Sequence, residues 1–294
     1  TENIRTNTNA TFLQNVNVGV AITAGKLGIG FTDANVKVGN TALDSLTTGT
    51  NNTAVGNAAM TANTTGTQNV AVGGFALDAS TTANYNTAVG YIAMSATTTG
   101  SGNVAVGAYA LEANSTGESN VSIGVNALED NTTANDNTAV GRFALRVNTT
   151  GAANVAVGAY ALDANTTTSY LTAVGYYALS ANTTGTENVA VGYASLIKNT
   201  TGDKNTSVGY DALGENTTAD ENTALGYYAL NVNTTGAENT SVGSYSLYLN
   251  TTGSSNVAIG RNSLGANTTA SANTSVGKSA LSANTTGENN TAVG

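Results

Sequence analysis

The sequence predicts an all-β fold, a parallel β-solenoid built from 17-residue coils. Three features point to it: a strict internal repeat, a β-branched segment at the start of each repeat, and turn residues at its end. The pentapeptide N-[TV]-[AS]-[VIL]-G recurs with a constant 17-residue period from Asn52 to Asn290, with Leu171 once in place of Asn. A strict period of this kind is typical of solenoids, in which each repeat packs on its neighbours.

The repeat also predicts the domain organisation. A fainter copy begins at Asn35, so the chain divides into a β-rich lead-in, 1–34, and a solenoid, 35–294, of fifteen full coils and the start of another. We number coil positions from this Asn, so that coil 1 begins at Asn35 and coil 10 at Asn188. Fifteen coils stacked about 4.8 Å apart would make a rod roughly 70 Å long.

Each coil is predicted to contain two short strands. Positions 1 to 5 alternate and are β-branched, which predicts a strand with positions 2 and 4 on one face. Positions 7 to 11 predict a second strand with position 9, always Leu or Met, facing inward. Gly at position 5 and the NTTG run at positions 12 to 15 supply turns. With position 4 also inward, the core would contain Val174, Leu179, Val191, Leu196, Val208 and Leu213.

Composition argues against an enzyme. The chain has no His, Cys, Pro or Trp, and only 9% of its residues are charged, so most nucleophiles, general bases and metal ligands are missing. We expect no catalytic residues, no cofactor and no metal. The net charge of −9 argues against a nucleic-acid partner, because phosphate binding needs a basic surface. Since no long apolar run occurs, we expect no membrane insertion in this segment.

The repeat resembles two known families. NVAVGYASLIKNTTG at 188–202 and TAVGYYALSANTTG at 172–185 resemble the head repeats of YadA-like trimeric autotransporter adhesins and, more closely, NTAVGYxAL-type repeats of phage tail-fibre proteins. The resemblance covers 35–294 and implies a left-handed β-roll, three identical chains around one axis, and a role in attachment. Residues 24–38 are similar to a segment that precedes such repeats in fibre proteins, which favours a virion over a bacterial cell surface.

Two columns of side chains are candidate site residues. Asn at position 1 is expected to form an amide ladder along the rod, as at Asn188, Asn205, Asn222 and Asn239. Tyrosines occupy position 6 of four consecutive coils, at Tyr176, Tyr193, Tyr210 and Tyr227. This stripe is either a stabilising aromatic ladder, which is the more general use of stacked aromatics, or a surface that stacks the sugar rings of a host glycan.

Acidic residues lie at turn positions without regular ligand spacing, as at Asp203, Glu215, Asp220 and Glu238, so they are interpreted as solubilising charges rather than as a glycosidase or calcium site. The recurrent N-x-T sequons, such as Asn63, Asn114, Asn182 and Asn250, would accept glycans in a suitable secretory pathway. Otherwise these asparagines are turn residues.

The function predicted from these features is the structural shaft of a homotrimeric phage tail fibre. The head of a bacterial trimeric adhesin is the first alternative, and a Thr- and Asn-rich ice-binding solenoid is the second. The small residues at positions 3 and 8 are predicted to point outward and to form the contact between chains, with the position 3 strand favoured. A host glycan or receptor is a further expected partner.

Overall fold

Sixteen strands of three residues form one parallel sheet in the computed structural model, which describes residues 34–294. Each coil contributes positions 2 to 4. The strands are Val36–Val38 (β1), Thr53–Val55 (β2), Val70–Val72 (β3), Thr87–Val89 (β4), Val104–Val106 (β5), Val121–Ile123 (β6), Thr138–Val140 (β7), Val155–Val157 (β8), Thr172–Val174 (β9), Val189–Val191 (β10), Thr206–Val208 (β11), Thr223–Leu225 (β12), Thr240–Val242 (β13), Val257–Ile259 (β14), Thr274–Val276 (β15) and Thr291–Val293 (β16).

The strands pair in chain order without a register shift. Val189 of β10, for example, lies opposite Thr172 of β9 on one side and Thr206 of β11 on the other, each exactly one coil away along the chain. The prediction of a parallel β-solenoid of 17-residue coils is therefore confirmed. Residues 34–294 contain no helix, and so none long and apolar enough to span a membrane. The predicted lead-in, 1–34, lies outside the described residues except for Ala34.

The prediction of two strands per coil is wrong. Positions 6 to 11 form a stacked turn, and the residues at positions 7 and 9 adopt left-handed backbone conformations, as at Ala194 (φ +52°) and Leu196 (φ +55°). The turn still bonds to both neighbouring coils, since Ala194 N–H donates to Tyr176 O and Leu196 N–H to Ala212 O. The left-handed residues let positions 8 and 9 both face the interior, which adjacent residues of a regular strand cannot do.

The prediction that position 4 faces inward is also wrong. Val174, Val191 and Val208 are partly exposed, whereas the small residue before each of them is fully buried, as at Ala173 and Ala190. Positions 2 and 4 do share one face, but that face is the outer one. The side chains of Leu179, Leu196 and Leu213 are fully buried, so position 9 supplies the large apolar side chains of the core.

The interior is narrow, and this explains the small residues at positions 3 and 8. Where position 3 is Ser, its hydroxyl donates to the carbonyl of position 8 in the same coil, as from Ser122 to Ala127 and from Ser207 to Ala212, both at 2.7 Å. The two segments of a coil therefore approach closely enough for a side chain of one to touch the backbone of the other. Every coil except the first, which has Lys37 at position 3, carries Ala or Ser at both positions, so positions 3 and 8 are core positions rather than contacts between chains.

Position 5 requires Gly for two independent reasons. Gly192 has φ +137°, a conformation that side-chain-bearing residues rarely adopt. A Cβ built on Gly192 would also lie 2.2 Å from the carbonyl oxygen of Gly209 in the next coil. The same arrangement recurs at each coil boundary, where it lets consecutive corners stack at the spacing of the sheet.

Candidate functional site

The position 1 asparagines form a polar column inside the rod, interrupted once by Leu171 in coil 9. The backbone N–H of Asn205 donates to Oδ1 of Asn188 at 2.9 Å, and Asn222 and Asn239 each donate to the preceding Asn at 3.0 Å. Each Nδ2 donates to the carbonyl at position 15 of its own coil, as from Asn205 to Ala219 at 2.8 Å. All four side chains are fully buried. Each carboxamide therefore links two neighbouring coils and also joins the first position of its own coil to the last turn of that coil.

A second Asn column at position 12 was missed by the sequence reasoning. Here carboxamides bond directly from coil to coil, with Nδ2 of Asn216 donating to Oδ1 of Asn199 at 2.9 Å and Asn233 to Asn216 at 3.1 Å. The same Nδ2 also donates to the carbonyl three residues on, as from Asn216 to Ala219 at 3.0 Å. The recurrence of Asn at the start of every late NTT run was the available signal, but it was interpreted as turn chemistry.

The position 12 column is interrupted near its beginning. Coils 3 and 4 carry Ser80 and Thr97 there, and both hydroxyls are fully buried without a hydrogen-bond partner. Oδ1 of Asn63, in coil 2, also lacks a partner, and no carboxamide follows it; Oδ1 of Asn165 lacks one as well, although Asn182 follows it. Buried polar atoms without partners cost stability, so these coils are a weak part of the described rod.

Short polar side chains at positions 13 and 16 extend this pattern to the surface. Position 13 hydroxyls donate to the carbonyl of the same position in the next coil, as from Thr200 to Thr217 at 3.0 Å. At position 16, Asp203 Oδ1 accepts from the backbone N–H of Thr186 at 2.6 Å, and Asp220 Oδ1 accepts from that of Asp203 at 2.8 Å. These two carboxylates are therefore structural acceptors as well as surface charges.

The other two acidic residues singled out in the sequence make side-chain contacts. Glu215 Oε2 lies 2.6 Å from Nζ of Lys198, one coil away, and Glu238 Oε2 accepts from Ser255 Oγ at 3.1 Å. Both contacts are exposed, so each contributes at most about 1 kcal/mol. Residues 34–294 contain no cluster of acidic residues arranged to hold a metal ion.

The tyrosine stripe is an exposed column of rings that stack on each other. The centroids of Tyr176 and Tyr193 lie 5.7 Å apart, those of Tyr193 and Tyr210 4.8 Å, and those of Tyr210 and Tyr227 5.3 Å, with interplanar angles of 18°, 10° and 26°. Because the ring faces inside the column cover one another, a sugar would meet ring edges and hydroxyls. This geometry favours the stabilising-ladder interpretation over glycan stacking.

Position 7 tyrosines widen the stripe. Tyr228 lies edge-on to Tyr227 with centroids 4.5 Å apart and stacks on Tyr245 at 5.7 Å. Burial, assisted by the neighbouring Tyr210 and Tyr227, raises the pKa of the Tyr228 hydroxyl to about 12. The hydroxyl is therefore a neutral hydrogen-bond donor at physiological pH, and the surface as a whole is amphipathic.

The four sequons singled out from the sequence are closed to modification in the folded coil, whereas the N-x-T sequons at Asn51 and Asn289 are exposed. Asn63, Asn114, Asn182 and Asn250 are fully buried, and the Nδ2 atom that would carry a glycan donates instead to the carbonyl three residues on. Their recurrence is explained by the position 12 column, which needs a carboxamide, followed by Thr at positions 13 and 14.

The outer face of the sheet carries an apolar row. Position 4 is Val, Ile or Leu in all sixteen strands, and many of these side chains are well exposed, including Ile123 (40%) and Leu225 (46%). Position 2, which shares this face, is Thr or Val throughout. Soluble monomers seldom leave a long contiguous apolar row open to water, so this face is a candidate contact surface.

Comparison with known proteins adds no assignment to this geometry. No family model matches the chain, and neither the curated proteins nor the solved structures give a significant match.

Proposed function

We propose that this chain is the non-enzymatic shaft of a homotrimeric phage tail fibre that takes part in host attachment and is located in the virion. In this assembly each chain is a left-handed β-roll. The proposal rests on one main observation, the apolar row at position 4 that runs along all sixteen strands of a stiff, continuous sheet. The resemblance of the repeat to tail-fibre and adhesin sequences supplies the number of chains and the attachment role.

The face through which the chains meet differs from the one expected from the sequence. Since positions 3 and 8 point inward, the contact between chains is assigned to the outer strand face, with positions 2 and 4. Burial of one partly exposed Val, Ile or Leu in every coil would remove apolar surface from water along the whole rod, at about 25 cal/mol for each Å². A closed arrangement of identical rods then covers the row on every chain.

The assembly can be tested by measuring mass in solution. Light scattering of the wild-type protein should give about three times the chain mass. Val174→Lys combined with Val191→Lys should dissociate the assembly, because it places charges on the outer strand face. The matched control, Thr184→Lys with Thr201→Lys, changes an exposed column of the same two coils and should leave the mass unchanged. A monomeric wild type, or equal effects of both pairs, would contradict the proposal.

The head of a bacterial trimeric adhesin is the alternative setting for the same shaft, at the cell surface. The flanking sequence of the gene distinguishes the two, because an adhesin carries a membrane anchor and a fibre carries a virion-attachment region.

A second candidate function, ice binding, is favoured by one observation. Position 14 is Thr in all fifteen full coils, and each of these side chains is exposed. The adjacent position 13 hydroxyls donate to backbone carbonyls, so the regular array is one column wide. Measurement of thermal hysteresis on the purified protein tests this candidate, and its absence would exclude it.

A further inference from the structure

A groove of about 370 Å³ opens on the surface of coils 3 to 5. It combines one aromatic ring with two carboxyl groups and a hydroxyl group. Its lining residues are Phe75, Asp78, Ile92, Ser95, Ala96 and Glu112. Asp78 and Glu112 both occupy position 10, two coils apart, so their backbones are separated by about 10 Å at the spacing of a parallel sheet. A ligand that meets both carboxyl groups must therefore be larger than a single ion.

The surroundings of the groove are uniformly acidic. Between Lys37 and Arg142 the sequence has no basic residue, while it has seven acidic ones, namely Asp44, Asp78, Glu112, Glu118, Glu129, Asp130 and Asp136. Burial, and then the nearby Glu129 and Asp130, raise the pKa of the Glu112 carboxyl. The groove thus attracts positive charge, and the described chain offers none of its own within these coils.

One atom of the groove lacks a hydrogen-bond partner. Oδ1 of Asp78 is buried and has none, although a carboxylate oxygen away from water needs a donor. Burial raises the pKa of this carboxyl, and hydrogen bonds from its own backbone and from Ala79 oppose the shift. Oδ1 itself is closed to the groove, so a ligand there can donate a charge-assisted hydrogen bond only to the other oxygen of this carboxyl group.

In another coil of the same chain, an aromatic ring at the equivalent position already has cationic side chains over it. In coil 7, Phe143 occupies position 7, and the guanidinium carbons of Arg142 and Arg146 lie 4.4 and 5.4 Å from its ring centroid. Coil 3 has the ring, Phe75, at the same position, but Gly74 and Asp78 replace the two arginines. Phe75 is 38% exposed, and its ring lies edge-on to that of Tyr91 with the ring centroids 6.2 Å apart.

We propose that this groove binds a ligand bearing a protonated amine, specifically an amino sugar. The ammonium group lies over Phe75, where a cation–π contact forms, and donates to the accessible oxygen of the Asp78 carboxylate. The sugar hydroxyls extend toward Ser95 and Glu112, which span the remaining length of the groove. The inference concerns residues of one chain and stands independently of the proposed trimer.

The proposal is tested by calorimetric or NMR titration of the full-length protein, as it assembles, with glucosamine, N-acetylglucosamine and glucose at about pH 6.5, below the usual pKa of a free amino group. Glucosamine should bind saturably, and the two neutral sugars at least about tenfold more weakly, because they lack the charge. Binding should weaken at high salt. Absence of saturable glucosamine binding, or equal affinity for glucose, would overturn the proposal.

Three variants locate the site. Asp78→Asn should weaken glucosamine binding by about tenfold or more. Asp78→Arg should abolish it, since the new guanidinium occupies the ring of Phe75 as Arg146 occupies that of Phe143, a pairing that the fold already accommodates. Glu118→Gln removes the same charge from an exposed turn outside the groove and should have little effect. If Glu118→Gln weakened binding as much as Asp78→Asn, the overall negative charge of these coils, rather than this groove, would be the cause of binding.

Discussion

The interruption of the position 12 column gives the sharpest prediction on stability. Ser80→Asn together with Thr97→Asn should restore an unbroken run of carboxamides from Asn63 to Asn114. The new Nδ2 groups would donate to the preceding Oδ1 atoms, and Asn114 would gain an acceptor on residue 97. Coil 2 indicates that Asn at position 12 is compatible with Met at position 9, because it contains both Asn63 and Met60. Coil 4, which contains Thr97, likewise has a Met, Met94, at position 9.

The expected gain follows from three buried polar atoms that now lack partners. Each such atom costs about 1–3 kcal/mol, and each new hydrogen bond contributes about 0.5–1.5 kcal/mol net. Burial of two larger side chains offsets part of this, so we expect a net stabilisation of about 2–4 kcal/mol. For a chain of this size that corresponds to a rise in melting temperature of roughly 3–8 °C when coils 3 and 4 unfold in the same cooperative transition as the rest.

Thermal melts followed by circular dichroism, with hydrogen exchange of coils 2 to 5, measure the effect. The single variants should each stabilise less than half as much as the pair, because the bond between residues 80 and 97 exists only in the double variant. Ser180→Asn, a partly exposed position 10 control, should change little. An additive or absent gain, or faster exchange in coils 3 and 4, would refute the carboxamide-column explanation.

Three further predictions concern the same coils and columns. Leu196→Asp should prevent folding or lower the free energy of unfolding by more than about 4 kcal/mol, because it buries a carboxylate. Ile197→Asp, at the partly exposed neighbouring position, should be tolerated. Equal melting temperatures of the two variants would contradict the inward direction of position 9. Gly192→Ala should lower the free energy of unfolding by roughly 3 kcal/mol or more, because the backbone is strained and the new Cβ clashes with Gly209 O. Chemical denaturation that found no change in stability would exclude this corner geometry. A glycan on Asn182 cannot enter the coil, so chains glycosylated there in a secretory pathway should misfold, and an inhibitor of N-glycosylation should rescue them; a folded rod with a glycan mapped to Asn182 would disprove its burial.

The periodicity of the sequence was sufficient to predict the solenoid, its 17-residue coil and the parallel register, because a strict repeat forces equivalent residues to stack. The inward direction of Leu196 also followed from its recurrence. The recurrence of Asn205 predicted side chains that bond from coil to coil, whereas its bond to Asn188 runs from the backbone N–H to the carboxamide oxygen. A residue type that is unchanged in every coil, such as Gly192 at its corner, reflects a backbone requirement that the sequence reveals directly.

Other features depended on the distance between segments of one coil, which no local pattern encodes. Alternation predicted that positions 2 and 4 share a face, but whether Val191 or Ala190 faces inward is decided by the close approach of positions 3 and 8, where every coil after the first has Ala or Ser. Left-handed residues at positions 7 and 9 placed adjacent side chains inside, so the apparent second strand is a turn. The Asn199 column was likewise set by tertiary structure, because its carboxamides find partners only when successive coils stack in register.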